Sequence, residues 1–199
     1  MIQVTTRRLK RDALAYEPEQ QLPATPGMVR TLLTKTSSLT ALLIRLAYAT
    51  AQRPGDVLQL QKKSFTVVGS WMAVTFYRGK VVPMIGPYTI HISLTSAVAQ
   101  AILHLMTHST VKDFSREATF FHEKVGQEMD DVLSDFGLGR RSLRRGALQA
   151  LAALGAPTSV LLYYSKHKSI PMLERYLGHG KLHLCQPMAA APYAAEITL

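Results

Sequence analysis

Apolar positions recur along this chain with two different periods. From Met28 to about Ala51, Val29, Leu32, Leu33, Leu39, Leu42, Leu43, Leu46 and Ala47 fall at helical spacing, which predicts two helices broken near Ser37 and Ser38. Pro54 then suits the first turn of a short helix over Pro54 to Leu60, with Arg53 at its start. Between 65 and 93 the period shifts. FTVV, WMAVTFY and YTIHIS are rich in β-branched and aromatic residues, and Gly69-Ser70, Arg78-Gly79 and Gly86-Pro87 punctuate them. A small antiparallel sheet of two or three strands is expected there.

Helical spacing returns over 95–107 and, after a loop-like stretch at 108–122, over an acidic segment at 124–136. Gly139 opens the next helix, which puts Leu143, Ala147, Leu151 and Leu154 on one face and ends at Gly155. A short helix follows at Thr158 to Ser165. A last one starts after Ser169, a favourable N-cap, tolerates Pro171 in its first turn and runs through Tyr176. The fold expected is α+β, mostly helical, with a small antiparallel sheet near its middle. Residues 1–26, basic at Arg7, Arg8, Lys10 and Arg11 and then interrupted by three prolines, read as an arm or linker. Residues 27–177 read as the domain, and 178–199 as an Ala- and Pro-rich tail.

Composition supports a globular chain, with 47% hydrophobic and 18% charged residues among 199. Charge adds more. The formal net charge is +10, and eight basic residues against one acid lie between Arg140 and Lys181. Seven acids and two bases occupy Asp113 to Asp135. A field this uneven favours an anionic partner, nucleic acid above all, although a solvated basic surface of ribosomal type has the same net charge. The single Cys185 excludes an internal disulfide, and Cys and His spacing gives no zinc cluster. With no apolar leader in MIQVTTRRLKRD and no apolar run long enough to span a bilayer, the chain reads as soluble and intracellular.

Four separated segments concentrate chemistry. TAQRPGDVLQL sets Arg53 at a helix start, with Asp56 three residues on. YRGKVV sets Lys80 beside a turn. RRSLRRGALQALAALG sets Arg141 and Arg144 three apart, with Arg145 adjacent, so that a one-residue slip would exchange the last two. HKSIPMLERY sets His167 nine residues before Tyr176. Each has a bland alternative: Tyr176 as a packed core residue, the arginines as a solvated helix start, Lys80 as protection of a strand edge. Tyr163 and Tyr164 read as core or interface residues. His179 is a decoy, because Met188 stands nine residues beyond it.

In this order the segments resemble the catalytic domain of the tyrosine recombinases, the phage integrase family. The resemblance covers about residues 22–180, and SLRRGA and the HKS to RYL block are its most specific parts. It implies that Arg53 and Arg144 are the two phosphate-gripping arginines and Lys80 the hairpin lysine. It further implies that His167 fills the His/Trp position and Tyr176 is the nucleophile. Asp56 matches the acidic residue that commonly follows the first arginine. Arg141 stands where the family usually has a histidine; it retains a phosphate contact but is a poor base, since it stays protonated.

The activity implied is DNA strand cleavage and rejoining through a covalent phosphotyrosine. Arginines offset the charge that builds on the phosphate, lysine protonates the departing 5′ oxygen, and His167 bonds the scissile phosphate. The resemblance implies no metal, ATP or other cofactor, double-stranded DNA as partner, and tetramers that often exchange C-terminal tails. It allows a recombinase of retrotransposon type. Related enzymes carry a further N-terminal domain that completes a clamp on DNA, so the chain reads as a fragment, a truncated member or a half-clamp. The rivals are a non-catalytic DNA-binding remnant, a type IB topoisomerase-like activity and a basic RNA-binding protein.

Overall fold

A computed structural model describes residues 21–108 and 118–178. The first two helices are α1, Pro26–Leu33, and α2, Ser38–Thr50. Thr25 and Ser37 cap them, each accepting a backbone N–H in the first turn. Glu128 reinforces the second cap, accepting from the Ser37 amide at 2.6 Å and from the Ser37 and Thr40 hydroxyls at 2.7 and 2.6 Å. These bonds hold its carboxyl below the usual carboxylate range.

A single helical turn, α3, covers Pro54–Val57, shorter than the expected run to Leu60, because the chain then enters a 3-10 turn at Lys62–Ser64. The sheet follows: β1 Phe65–Val68, β2 Trp71–Phe76 and β3 Tyr88–Ser93, antiparallel in the order β1-β2-β3. Val68 pairs with Trp71 across a two-residue turn in which Gly69 takes a φ of 58°, open to glycine at little cost. Met72, Val74 and Phe76 point to the core with Tyr88, Ile90 and Ile92, as a period of two requires. Phe76 and Tyr88 stack at 5.0 Å.

Lys80 lies in the connection from β2 to β3. That connection contains a helical turn, α4, Val82–Ile85, which the sequence pattern did not announce. Then come α5, Ala97–His108, α6, Glu123–Asp135, α7, Arg140–Ala153, α8, Thr158–Ser165, and α9, Ile170–Leu177. Ser169 occupies the N-cap of α9, but its side chain makes no capping bond. Leu154 is 85% exposed and does not continue the apolar face of α7, because it lies one residue past the helix as its C-cap. Residues 1–20 of the arm expected at 1–26, and residues 179–199 of the tail expected at 178–199, lie outside the described residues.

The main core surrounds α2, whose Leu42, Leu43, Ile44, Leu46 and Ala47 are buried on nearly all sides by the sheet, α5, α6 and α7. A second, smaller cluster joins Ala51, Ala147, Leu148, Leu161 and Leu173. It seats α8 and α9 against α7. Residues 21–25 run across α7 so closely that a Cβ on Gly146 would stand 1.8 Å from the Ala24 carbonyl oxygen. The Ala24 amide donates to the Ser142 carbonyl at 2.9 Å. Among the described residues no helix is long and apolar enough to cross a membrane.

Candidate active site

Arg144 is the centre of the site and is 1% exposed. Its Nη1 donates to the Ala51 carbonyl at 3.1 Å, and its Nη2 donates to the Ser165 carbonyl. Those two carbonyls belong to the C-terminal ends of α2 and α8, where helix dipoles place partial negative charge. Both ends close on left-handed residues, Ala51 and Lys166, the two non-glycine residues with positive φ among those described. Burial, and after it the nearby Arg53 cation, pull the Arg144 guanidinium down to about 10, still protonated at neutral pH.

Arg53 and Lys80 meet through Asp56. The buried Asp56 carboxylate lies 3.7 Å from Arg53 Nη1 and accepts the Lys80 backbone amide at 3.1 Å. Gly79, at a φ of 130°, brings the chain close enough for this: a Cβ there would stand 2.9 Å from the carboxylate. The Lys80 side chain itself is exposed.

His167 and Tyr176 complete the cluster. Their rings lie 4.5 Å apart, tilted by 49°, and the Arg144 guanidinium sits 5.8 Å from the Tyr176 ring centroid. Burial first, then the Arg144 and Arg53 cations, pull the His167 imidazole down to about 4, so the ring is neutral at pH 7. Burial, then Asp56, push the adjacent Tyr88 phenol up to about 12. Tyr88 donates to Gln52 Oε1 at 2.9 Å, and Gln52 Nε2 donates to the Thr50 and Tyr164 carbonyls. This network fixes the segment that carries Arg53 against α8.

Arg141 stands apart. It is exposed one turn before Arg144, and among the described residues no hydrogen bond or ion pair ties it to another side chain. Its three-residue spacing from Arg144 holds, yet one points to solvent and the other to the core. Tyr163 and Tyr164 lie on α8, their hydroxyls donating to the Thr89 and His91 carbonyls of β3 at 3.4 and 3.1 Å. Sequence reading missed Gln52 and Tyr88, whose spacing carries no signal. It weighed Arg145 only as a register alternative to Arg144 and missed its bond to the Tyr176 backbone at 3.2 Å.

The geometry gathers two arginines, a neutral histidine and a tyrosine from three distant segments around one point. Among the described residues, five buried side-chain polar atoms lack a hydrogen-bond partner: Arg53 Nη1, Asp56 Oδ2, Arg144 Nε and both ring nitrogens of His167. All five belong to this cluster. The donors among them, Arg53 Nη1, Arg144 Nε and one ring nitrogen of the neutral His167, suit an oxyanion that accepts several hydrogen bonds at once. No group of three or more metal-ligating side chains occurs among the described residues.

No family model matches the sequence, and no curated protein matches it. Solved structures do. The XerH site-specific recombinase bound to palindromic difH substrate in a post-cleavage complex aligns with a TM-score of 0.62 at 14% identity, over 85% of this chain and 53% of that one. The chain has the fold of a tyrosine recombinase catalytic domain. The Tn1549 transposon integrase in complex with transposon right end DNA aligns with this recombinase fold at a TM-score of 0.60 and 15% identity, over 87% of this chain and 69% of that one. A lambda integrase dimer bound to a core site gives 0.56 at 14%, over 81% and 49%. The chain thus spans about half the length of the XerH and lambda integrase chains that share the recombinase fold.

Proposed function

We propose that the protein cleaves and rejoins double-stranded DNA in a recombination reaction, through a covalent 3′-phosphotyrosine on Tyr176. The observation that carries the reading is the set of buried polar atoms without a hydrogen bond on Arg53, Arg144 and His167, in one cluster with the Tyr176 ring. An unpaired buried donor costs about 1–3 kcal/mol. The non-bridging oxygens of a phosphodiester would accept from these donors and offset that cost.

Each residue then has a role. Arg53 and Arg144 neutralise the charge that grows on phosphorus in the transition state. His167, neutral, donates one N–H to the phosphate. Tyr176 Oη forms a bond to phosphorus as the bond to the 5′ oxygen breaks, and the phenol proton passes to solvent water. Lys80 protonates the departing 5′ oxygen, and Asp56 holds the backbone of its loop beside Arg53. Arg141 contacts a flanking phosphate from the exposed face of α7. One phosphodiester replaces another, so a 5′ hydroxyl reverses the step without an external energy source. Double-stranded DNA is the partner and a tetramer the working assembly.

Arg141, where a proton-handling histidine is expected, favours one second reading: a DNA-binding remnant that no longer cleaves. A duplex nicked near the cleavage point, which traps the covalent product, separates the two. The enzyme gives a protein–DNA adduct that Tyr176→Phe abolishes while DNA binding persists. Equal binding by both proteins with no adduct from either assigns the remnant. Relaxation of supercoiled DNA without sequence preference would move the activity to the type IB topoisomerase class.

A further inference from the structure

The helix that carries Tyr176 is weakly seated by its own apolar contacts. α9 has eight residues, of which only Leu173 is fully buried, and its N-cap side chain makes no bond. A buried leucine contributes about 1.5–3 kcal/mol, which leaves such a short helix marginal. Polar bonds at its other end do the rest. Arg145 Nε and Gln149 Nε2 both donate to the Tyr176 carbonyl at 3.2 Å, and Gln149 Nε2 also donates to the Leu177 carbonyl at 3.3 Å. These carbonyls end the helix and have no partner within it. The turn at Gly178 lies over both donors, a Cβ there falling 3.5 Å from Gln149 Nε2 and 3.6 Å from Arg145 Nη2.

Arg145 has a second hold. Its Nη1 donates to the Gln21 carbonyl at 3.1 Å, so one guanidinium joins main-chain oxygens 155 residues apart. Gln21 begins the segment that crosses Gly146 and bonds Ser142 through Ala24. Arg144 and Arg145 thus act on the same tyrosine from two sides, one at the ring and one at the backbone.

We propose that Arg145 is a positioning residue: it latches the Tyr176 helix to α7 and couples the seating of the nucleophile to the docking of residues 21–25. The role deepens the reading of Tyr176 as a nucleophile and, for its catalytic consequence, rests on it. A segment that lifts from α7 would release one arm of the latch and loosen the tyrosine. The site would then respond to whatever binds the chain upstream of Gln21.

Hydrogen exchange on the full chain tests the latch without reference to catalysis. Arg145→Ala should speed amide exchange in 170–177 and in 22–25 together, by about tenfold, the scale of one lost charge-assisted bond. Exchange over 38–50 reports that the fold is retained. Gln149→Leu, which removes the other donor to the same carbonyl without changing charge, should loosen 170–177 alone. Unchanged exchange in 170–177 for Arg145→Ala overturns the latch, and loosening of 170–177 without 22–25 overturns the coupling. The catalytic arm is single-turnover adduct formation at saturating nicked duplex. Gln149→Leu should slow it about tenfold with DNA affinity held within about twofold, a split that general loss of structure does not give. A wild-type chain that forms no adduct sinks the nucleophile assignment and leaves the exchange result to decide the latch.

Discussion

Arg144 and Ala51 are joined by a 3.1 Å hydrogen bond in which a buried cation meets the last carbonyl of the central helix, at a residue held in the left-handed region with a φ of 52°. The bond makes the proposed phosphate-binding arginine a structural bridge as well. Arg144→Met should leave the Ala51 and Ser165 carbonyls buried without a donor and lower stability by about 3 kcal/mol, measured by urea denaturation. A loss of activity in that variant therefore needs its stability measured alongside.

Ala51 itself offers a cleaner probe of the same junction. Ala51→Val places a β-branched side chain in the left-handed region inside a packed cluster, and a cost of more than about 2 kcal/mol is expected. Ala51→Gly relieves the backbone but loses a buried methyl group and adds chain entropy, and should fall within about 1 kcal/mol of the wild type. Equal denaturation midpoints for the valine and glycine variants would contradict the geometry.

Gly146 is a steric prediction. Any side chain there meets the Ala24 carbonyl, which is backbone and cannot swing aside. Gly146→Ala should detach residues 21–25 from α7 and cost roughly 3 kcal/mol or more. Proteolysis within 21–25 should rise with it, and no change in either quantity would show that the segment is free to shift.

His167 gives a pH dependence. Its folded value near 4 lies below the 6.5 of an exposed histidine, so the unfolded chain binds the proton more readily. The contribution of a neutral His167 is present above about pH 6.5 and is lost as pH falls toward 4. The urea midpoint of the wild type should drop across that window more steeply than that of His167→Asn. Under the proposed function, a bound phosphate raises the histidine's value, which proton NMR of the ring would follow on adding DNA.

Arg141 is exposed and has no hydrogen bond or ion pair among the described residues, so Arg141→Ala should change stability by less than about 0.5 kcal/mol. If it contacts a phosphate, DNA affinity falls for every sequence alike, and the slope of log affinity against log salt shrinks by about one. A wild-type salt slope in the variant removes Arg141 from the interface.

The sequence by itself determined the elements and their order, because the hydrophobic period reports how each segment turns. The helices around Ser37, a small antiparallel sheet of two or three strands and a last helix through Tyr176 all follow from spacing and turn residues. Order and spacing, through the resemblance to tyrosine recombinases, also singled out Arg53, Arg144, His167 and Tyr176. Tertiary structure alone decided which groups those residues face. Adjacent Arg144 and Arg145 differ by one residue in register; the first is buried because the ends of α2 and α8 converge on it, and the second turns to α9 and Gln21. The exposure of Leu154, the helical turn in the Lys80 loop and the Gln52–Tyr88 bond belong to the same class. Each depends on what packs against a position from a distant part of the chain, and a local period contains no information about that.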